Sequence, residues 1–114
     1  MKKDVKIFKA LADFHRLRIL KALQIKVLCA CEIKELIQLA SSTVTQHLKV
    51  LKDAGFIIED KEGKWTNYII NPNPEDNRIS SILSSLDYWI NDKKSLAKDK
   101  EIIKKLDRDK LCRL

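Results

Sequence analysis

The stretch "ASSTVTQHLKVLKDAGF", residues 40–56, decides the fold of this chain. Val44, Leu48 and Leu51 lie within about 60° of one another on a helical wheel of roughly 100° per residue. They therefore predict an amphipathic helix with these three residues as its buried stripe, and Gly55 is the residue type that commonly ends such a helix. The opposite face of this helix is polar and consists of Ser42, Thr43, Thr45, Gln46 and Lys49.

A shorter helix is predicted just before it. Ile33, Leu36, Ile37 and Ala40 recur at helical spacing, and Ser41 is the candidate N-cap of the helix that follows. A short helix, a turn and a second helix with a polar outer face form the pattern of a helix-turn-helix.

Two further helices are predicted upstream. The first spans residues 4–12, with an apolar stripe of Val5, Phe8, Leu11 and Ala12. Asp13 is a plausible N-cap for the second helix, whose inner stripe is formed by Leu17, Leu20 and Leu23.

The segment "FIIEDKEGKWTNYII", residues 56–70, predicts a β-hairpin. Its two runs are rich in Ile, Trp, Thr and Tyr, and Gly63 between them can adopt the positive φ of a tight turn. Lys61 and Lys64 would make the tip of this hairpin basic. A fifth helix is predicted after Pro72 and Pro74, with a strong apolar stripe of Ile79, Ile82, Leu83, Leu86, Trp89 and Ile90.

Composition narrows the possible functions. The chain has 114 residues, only two Gly and two Pro, a net charge of +7 and a pI near 9.4, so we expect one mainly helical domain with an anionic partner, nucleic acid before a membrane surface. No stretch approaches the roughly 20 apolar residues of a membrane span. Three cysteines, an odd number, fit a reducing compartment, and we expect a cytoplasmic protein.

Cys29 and Cys31 are the residues whose side chains most clearly suggest a reactive or ion-binding site. In a helix, residues two apart point about 200° away from each other, whereas in an extended segment they share a face with Cα atoms roughly 6.6 Å apart. Chelation by both thiols therefore requires non-helical backbone. A helix N-terminus should lower a thiol pKa, and thiolates prefer arsenic, antimony, cadmium or lead to magnesium or calcium. The plainer interpretation is a pair of small buried side chains.

Four segments, "IFKALADFHRLRILKAL", "LCACEI", "VTQHLKVLKDAGFI" and "GKWTNYII", resemble in order and spacing the ArsR/SmtB family of winged-helix metal-sensing repressors, within it the arsenic-repressor branch. The resemblance implies a winged helix-turn-helix over residues 1–92 that binds DNA and dimerises, followed by a charged C-terminal helix or tail over residues 93–114. The chain departs from the arsenic-repressor branch at Lys34, where a third cysteine is common, and at residues 40–42, where Ser-Gln-Pro is common.

The resemblance also implies a function: a homodimeric repressor that leaves its double-stranded operator when trivalent arsenic or antimony binds Cys29 and Cys31. A third thiol could come from Cys112 or from a small external thiol. Family members dimerise through their first and last helices, which here would use Val5, Phe8, Ile82, Leu83, Leu86, Trp89 and Ile90.

In a helix-turn-helix, the N-terminal part of the second helix reaches base edges in the major groove. The base-facing candidates are Ser41, Ser42, Thr43, Thr45 and Gln46. Lys49, Lys61 and Lys64 would bind phosphate, which positions the protein without reading sequence. Some of these residues could serve only as a helix cap and a solvated face.

Two other functions compete. A repressor of the same fold could respond to cadmium or lead, or to thiol oxidation resolved by another cysteine such as Cys112. A small thiol oxidoreductase is disfavoured, because the sequence has no C-x-x-C motif, no phosphate-binding glycine loop and no alternation of strands and helices.

Overall fold

The computed structural model of the chain describes residues 1–91 and 93–111. The elements in chain order are α1 (Lys2–Leu11), α2 (Phe14–Ile25), β1 (Leu28–Cys29), α3 (Ala30–Ile37), α4 (Ser41–Asp53), β2 (Ile57–Glu62), β3 (Trp65–Ile70), α5 (Asn77–Trp89), α6 (Lys93–Lys105) and α7 (Arg108–Leu111). This architecture confirms the prediction of a mainly helical winged helix-turn-helix with a small β-hairpin, which we call the wing (β2 and β3).

Local capping sets where α2 begins. The Asp13 side chain accepts hydrogen bonds from the backbone N–H groups of His15 at 2.8 Å and Arg16 at 3.1 Å, as predicted for an N-cap. Behind this cap, Leu20 and Leu23 are buried in the core.

The turn between α3 and α4 differs from the prediction. Gln38 adopts a left-handed conformation with φ 62° and ψ 42°, and its N–H bonds to the Lys34 carbonyl, so α3 ends at Ile37. Ala40 is therefore not part of the α3 stripe; its extended backbone makes it the exposed N-cap of α4. Ser41 is the first helical residue, and its prediction as the N-cap is wrong by one position.

Helix α4 follows the predicted pattern. Val44, Leu48 and Leu51 are buried, and Gly55 follows its C-terminus with φ 94°. The next residue, Phe56, is fully buried and leads into the wing. The buried stripe therefore presents the opposite face of α4 to solvent.

The sheet has three antiparallel strands in the order β1-β3-β2. Strands β2 and β3 form the predicted hairpin, with Glu62 opposite Trp65 beside the turn at Gly63, whose φ is 58°. The third strand, β1, is two residues long and was not predicted, since two residues carry no periodic pattern. Its Cys29 pairs in register with Asn67.

The C-terminal residues that the sequence left open as a helix or a tail form helices α6 and α7 within residues 93–111. Ile103 of α6 is 3% exposed and belongs to the same core as Ile19, Ile33 and Leu36. Helix α6 thus packs against the helix-turn-helix. The assignment of DNA binding and dimerisation to residues 1–92, apart from residues 93–114, stays a prediction.

Candidate nucleic-acid interface and cysteine pair

The outer face of α4 is polar and open to solvent. All six residues predicted to contact DNA from this helix are exposed: Ser41, Ser42, Thr43, Thr45, Gln46 and Lys49. Of these, Lys49 makes an exposed ion pair with Asp53 at 3.9 Å, which is too weak to withhold its charge from a phosphate. Hydroxyl and amide groups on such a face can donate to and accept from base edges.

The wing adds two exposed cations. Lys61 lies on β2 opposite Thr66, and Lys64 lies in the turn with its Nζ 5.0 Å from the centroid of the Trp65 ring. The structure thus leaves all eight predicted DNA-contacting residues exposed, and their contact with DNA stays a prediction.

Arg16 of α2 contacts both α1 and α4. Its guanidinium donates from Nε to the Ala10 carbonyl at 2.8 Å and from Nη2 to the Lys9 carbonyl at 2.9 Å, at the end of α1. Its Nη1 lies 3.1 Å from Nδ1 of His47 on α4. Burial, together with the nearby Arg16 charge, lowers the pKa of His47, which favours a neutral imidazole that accepts from Arg16. His47 is a partly buried residue that packs between α4 and α2.

Cys29 closes β1 and serves as the N-cap of α3. Its side chain is buried, and it forms a capping box in which its backbone N–H donates to Oε1 of the buried Glu32 at 3.1 Å. Burial raises the pKa of the Cys29 thiol, and the negative charge of Glu32 raises it further. The prediction of a lowered thiol pKa is wrong at Cys29, because loss of hydration and a carboxylate outweigh the helix N-terminus.

Cys31 lies on the other side of the strand-to-helix boundary. The Cys29 backbone is extended, with φ −87° and ψ 168°, whereas Cys31 belongs to the first turn of α3. Cys31 is disulfide-bonded in the structure, so a thiolate at this position exists only after reduction. The backbone of the pair is therefore half extended and half helical.

A complete ligand set is not assembled by the described residues. Within residues 1–91 and 93–111, no group of three or more His, Cys, Asp and Glu side chains is placed to hold a metal ion. Cys112, the third predicted thiol, lies outside the described residues. The structure places Cys29 at the N-cap and Cys31 in the first turn of α3, and an ion site formed by the two, like the third ligand, stays a prediction.

The predicted dimer interface divides into three groups. Three of its residues are exposed by 56 to 66%: Val5, Trp89 and Phe8. Two are partly buried: Ile82 and Ile90. The inner face of α5 packs into the chain's own core, so two residues are buried there: Leu83 and Leu86.

Glu32 and Asp99 help to position this region and were not predicted from the sequence. The Cys29-x-x-Glu32 spacing is that of a capping box and could have revealed the role of Glu32. Asp99 falls on the inner face of α6 and forms an ion pair with Arg18 at 2.9 Å, and this pairing has no local signal because the residues lie 81 positions apart.

Comparisons with known proteins agree with this geometry. Residues 13–59 match the family described as "Bacterial regulatory protein, arsR family". The chain is 37% identical over 78 residues to the arsenical resistance operon repressor of Bacillus subtilis, covering 68% of this chain and 70% of that protein. It is 36% identical over 67 residues to the cadmium resistance transcriptional regulatory protein CadC homolog of Staphylococcus aureus, covering 58% and 55%.

Among solved structures, the fold is similar to a homodimeric winged helix-turn-helix DNA-binding domain from Mycobacterium bovis. The TM-score is 0.66 at 21% identity, over 81% of this chain and 82% of that chain. At this level of identity the likeness shows the fold alone. None of the helices in the part of the chain that the structure describes has the length and apolar character needed to cross a bilayer.

Proposed function

The chain belongs to the ArsR family of bacterial regulatory proteins, and from this premise we propose that it represses a metal(loid)-resistance operon. The family and the fold are those of DNA-binding transcriptional regulators, which confirms the prediction that the chain is not an enzyme. The proposed partner is double-stranded operator DNA, bound in the cytoplasm by a homodimer and released when trivalent arsenic or antimony binds.

DNA binding is supported by the exposed polar face of α4 beside an exposed wing. Gln46 can bond bidentately to adenine and the methyl groups of Thr43 and Thr45 can contact thymine. Lys49, Lys61 and Lys64 would neutralise phosphates, so DNA affinity should fall steeply with salt.

The effector site is argued from one observation: Cys29 and Cys31 flank the point where β1 becomes α3. Within a regular helix, side chains two positions apart point about 200° away from each other, and Cys31 lies in the first turn of α3. We infer that one ion bound by both sulfurs unwinds this turn. Unwinding breaks the capping box between Cys29 and Glu32 and displaces α3, against which α4 packs. Ion binding and DNA binding are then coupled reciprocally, typically by about 1 to 3 kcal/mol.

Two thiolates leave a trivalent arsenic or antimony one ligand short of three sulfurs. Cys112 or a small external thiol would supply the third. The resemblance to arsenical repressors supports the trivalent metalloids as effectors, and the softness of sulfur donors excludes hard cations such as magnesium.

The test is fluorescence anisotropy of a labelled duplex taken from upstream of the protein's own gene, at fixed salt and with excess reductant. We expect arsenite to weaken DNA binding of the wild type roughly 5- to 150-fold. Cys29→Ser is a suitable sensor variant because serine is a preferred N-cap and should preserve the start of α3. Cys29→Ser and Cys31→Ser should bind DNA like the wild type and fail to respond to arsenite.

Cys112→Ser is the matched control for the third ligand. A loss of response equal to that of the other two variants would assign the third sulfur to Cys112, and a full response would assign it to an external thiol. Arsenite release that persists in Cys29→Ser and Cys31→Ser would disprove the sensor site, and a wild type that binds no DNA would disprove the repressor.

Two alternative signals have specific support. Relatives named for cadmium resistance favour a divalent thiophilic ion, and the disulfide at Cys31 favours thiol oxidation. In the same assay, release by cadmium but not arsenite would favour the former. Release by an oxidant and recovery of DNA binding on reduction would favour the latter.

A further inference from the structure

The wing carries more negative than positive charge, although it is expected to lie against DNA. Between Ile57 and Ile70 it has two lysines, Lys61 and Lys64, against three carboxylates: Glu59, Asp60 and Glu62. A net negative element is repelled by a phosphate backbone. Groups from other elements offset part of this charge: Nζ of Lys52 on α4 lies 3.3 Å from Oε1 of Glu59, and Glu62 is paired with Arg108 of α7.

Arg108 of α7 lies at the tip of the wing. Its Nη2 donates to Oε1 of Glu62 at 2.8 Å, its Nη1 donates to Oδ1 of Asn67 at 3.3 Å, and its Cζ lies 4.7 Å from the centroid of the Trp65 ring. Glu62 and Trp65 are the last residue pair of the hairpin before the turn. Helix α7 is therefore attached to the wing at the residue pair beside its turn.

Asn67 and Trp65 surround the ion pair between Arg108 and Glu62. Asn67 is 4% exposed and donates from Nδ2 to Oε2 of Glu62 at 3.2 Å, so both carboxylate oxygens of Glu62 are bonded. The Trp65 ring lies near two cations, because Nζ of Lys64 is 5.0 Å from its centroid. The hydrogen bond from Arg108 lowers the pKa of Glu62, because it stabilises the carboxylate form.

We propose that α7 is part of the DNA-binding surface, with Arg108 neutralising Glu62 and, together with Lys64, presenting positive charge to the phosphate backbone. This inference rests on the proposed DNA-binding function and deepens it. An arginine side chain has five N–H donors, and Glu62 and Asn67 each take one, so donors remain for a phosphate oxygen. Asp107 and Asp109 are the other charged neighbours on this segment, together with Lys110.

The test measures how DNA affinity depends on salt, using a labelled random-sequence duplex of about 30 base pairs, because phosphate contacts dominate non-specific binding. Arg108→Ala should weaken binding roughly tenfold and lower the slope of log affinity against log salt by about 1 per wing. Arg108→Lys retains the charge, and its slope should stay near that of the wild type.

Glu62→Gln separates electrostatics from mechanical support. If Arg108 acts through charge, Glu62→Gln removes an acid from the tip and should tighten binding and steepen the salt slope. If Arg108 only holds the wing in place, Glu62→Gln breaks the same ion pair and weakens binding as much as Arg108→Ala, which would overturn the proposal.

Lys93→Ala is the matched control, because it removes one charge from the far end of α6, roughly 18 Å along the helix from Lys105. It should leave the slope unchanged, and an effect equal to that of Arg108→Ala would mean that only net charge matters, contrary to the proposal. Circular dichroism establishes that each variant is folded; if Arg108→Ala is not, Glu62→Gln decides. A wild type that binds no duplex at low salt refutes the proposed function, whereas wild-type binding that Arg108→Ala leaves unaltered refutes this inference alone.

Discussion

Replacing Arg18 with methionine should destabilise the chain by about 2 to 4 kcal/mol, because the buried carboxylate of Asp99 loses its charged partner. Arg18 donates to Asp99 from Nε at 3.1 Å and from Nη2 at 2.9 Å, and Nη2 also donates to the Leu36 carbonyl at 3.1 Å. The Arg18 side chain is 21% exposed and the Asp99 side chain 10%, so water can replace few of these hydrogen bonds. Loss of one partner from a fully buried pair costs about 3 to 5 kcal/mol, and the partial exposure of Arg18 reduces that figure.

Urea unfolding followed by tryptophan fluorescence would measure this cost. With a denaturant slope of roughly 1 to 3 kcal/mol per molar, the midpoint should fall by about 1 to 4 M. The double variant Arg18→Met/Asp99→Leu removes both charges and should lie within about 1 kcal/mol of the wild type. Lys104→Met is the control, since its pair with Glu101 is exposed and should contribute less than about 1 kcal/mol.

The reasoning would be refuted by an Arg18→Met variant within about 0.5 kcal/mol of the wild type, which is the usual range for a surface substitution. It would equally be refuted if the double variant lost as much as the two single variants together, since the ion pair would then carry no coupling. Because Arg18 joins α2, α3 and α6, the expected result would establish α6 as a structural part of the helix-turn-helix unit.

Three further predictions follow from single residues. The pKa of His47 is lowered in the folded state, so the unfolded chain binds the proton more readily. The free energy of unfolding should therefore fall as the pH drops below about 6.5. In urea titrations, His47→Gln should lose less stability than the wild type between pH 7 and pH 5. Gly55→Ala should cost about 1 to 2 kcal/mol in thermal unfolding through its φ of 94° alone, since the added Cβ would meet Ile79 at an ordinary 3.8 Å; a neutral result would contradict the strain argument. Gln46→Ala should weaken operator binding by about 1 to 3 kcal/mol and leave random DNA unaffected, whereas an equal loss on both would mean that Gln46 reads no base.

Much of the fold could be predicted because its signals are local. The stripe of Val44, Leu48 and Leu51, the cap at Asp13 and the turn at Gly63 each depend on residues within a few positions of one another. A helix boundary is less certain from such signals: α3 ends at the left-handed Gln38 and α4 begins one residue earlier than predicted. Helix ends fray and are defined only to within one or two residues.

The cysteine pair shows where local reasoning stops. The spacing correctly indicated that the two residues cannot share one regular helix face, and the structure places a strand-to-helix boundary between them. The sign of the Cys29 pKa shift was wrong, because it depends on burial by distant elements and on the position of Glu32, which the spacing of cysteines does not contain.

The sequence by itself determined the class of fold, the helix-turn-helix with its wing, and the polar face that α4 leaves open. Hydrophobic periodicity accounts for this where the stripe packs into the chain's own core, as in α4, whereas Val5 and Phe8 of the α1 stripe and Trp89 of the α5 stripe stay exposed. Only the tertiary structure decided which charges meet: Arg18 with Asp99, Arg16 with His47, and Arg108 with Glu62. Such pairs join residues 31 to 81 positions apart, and their free energy depends on distance and solvent access, both of which exist only once the chain has folded.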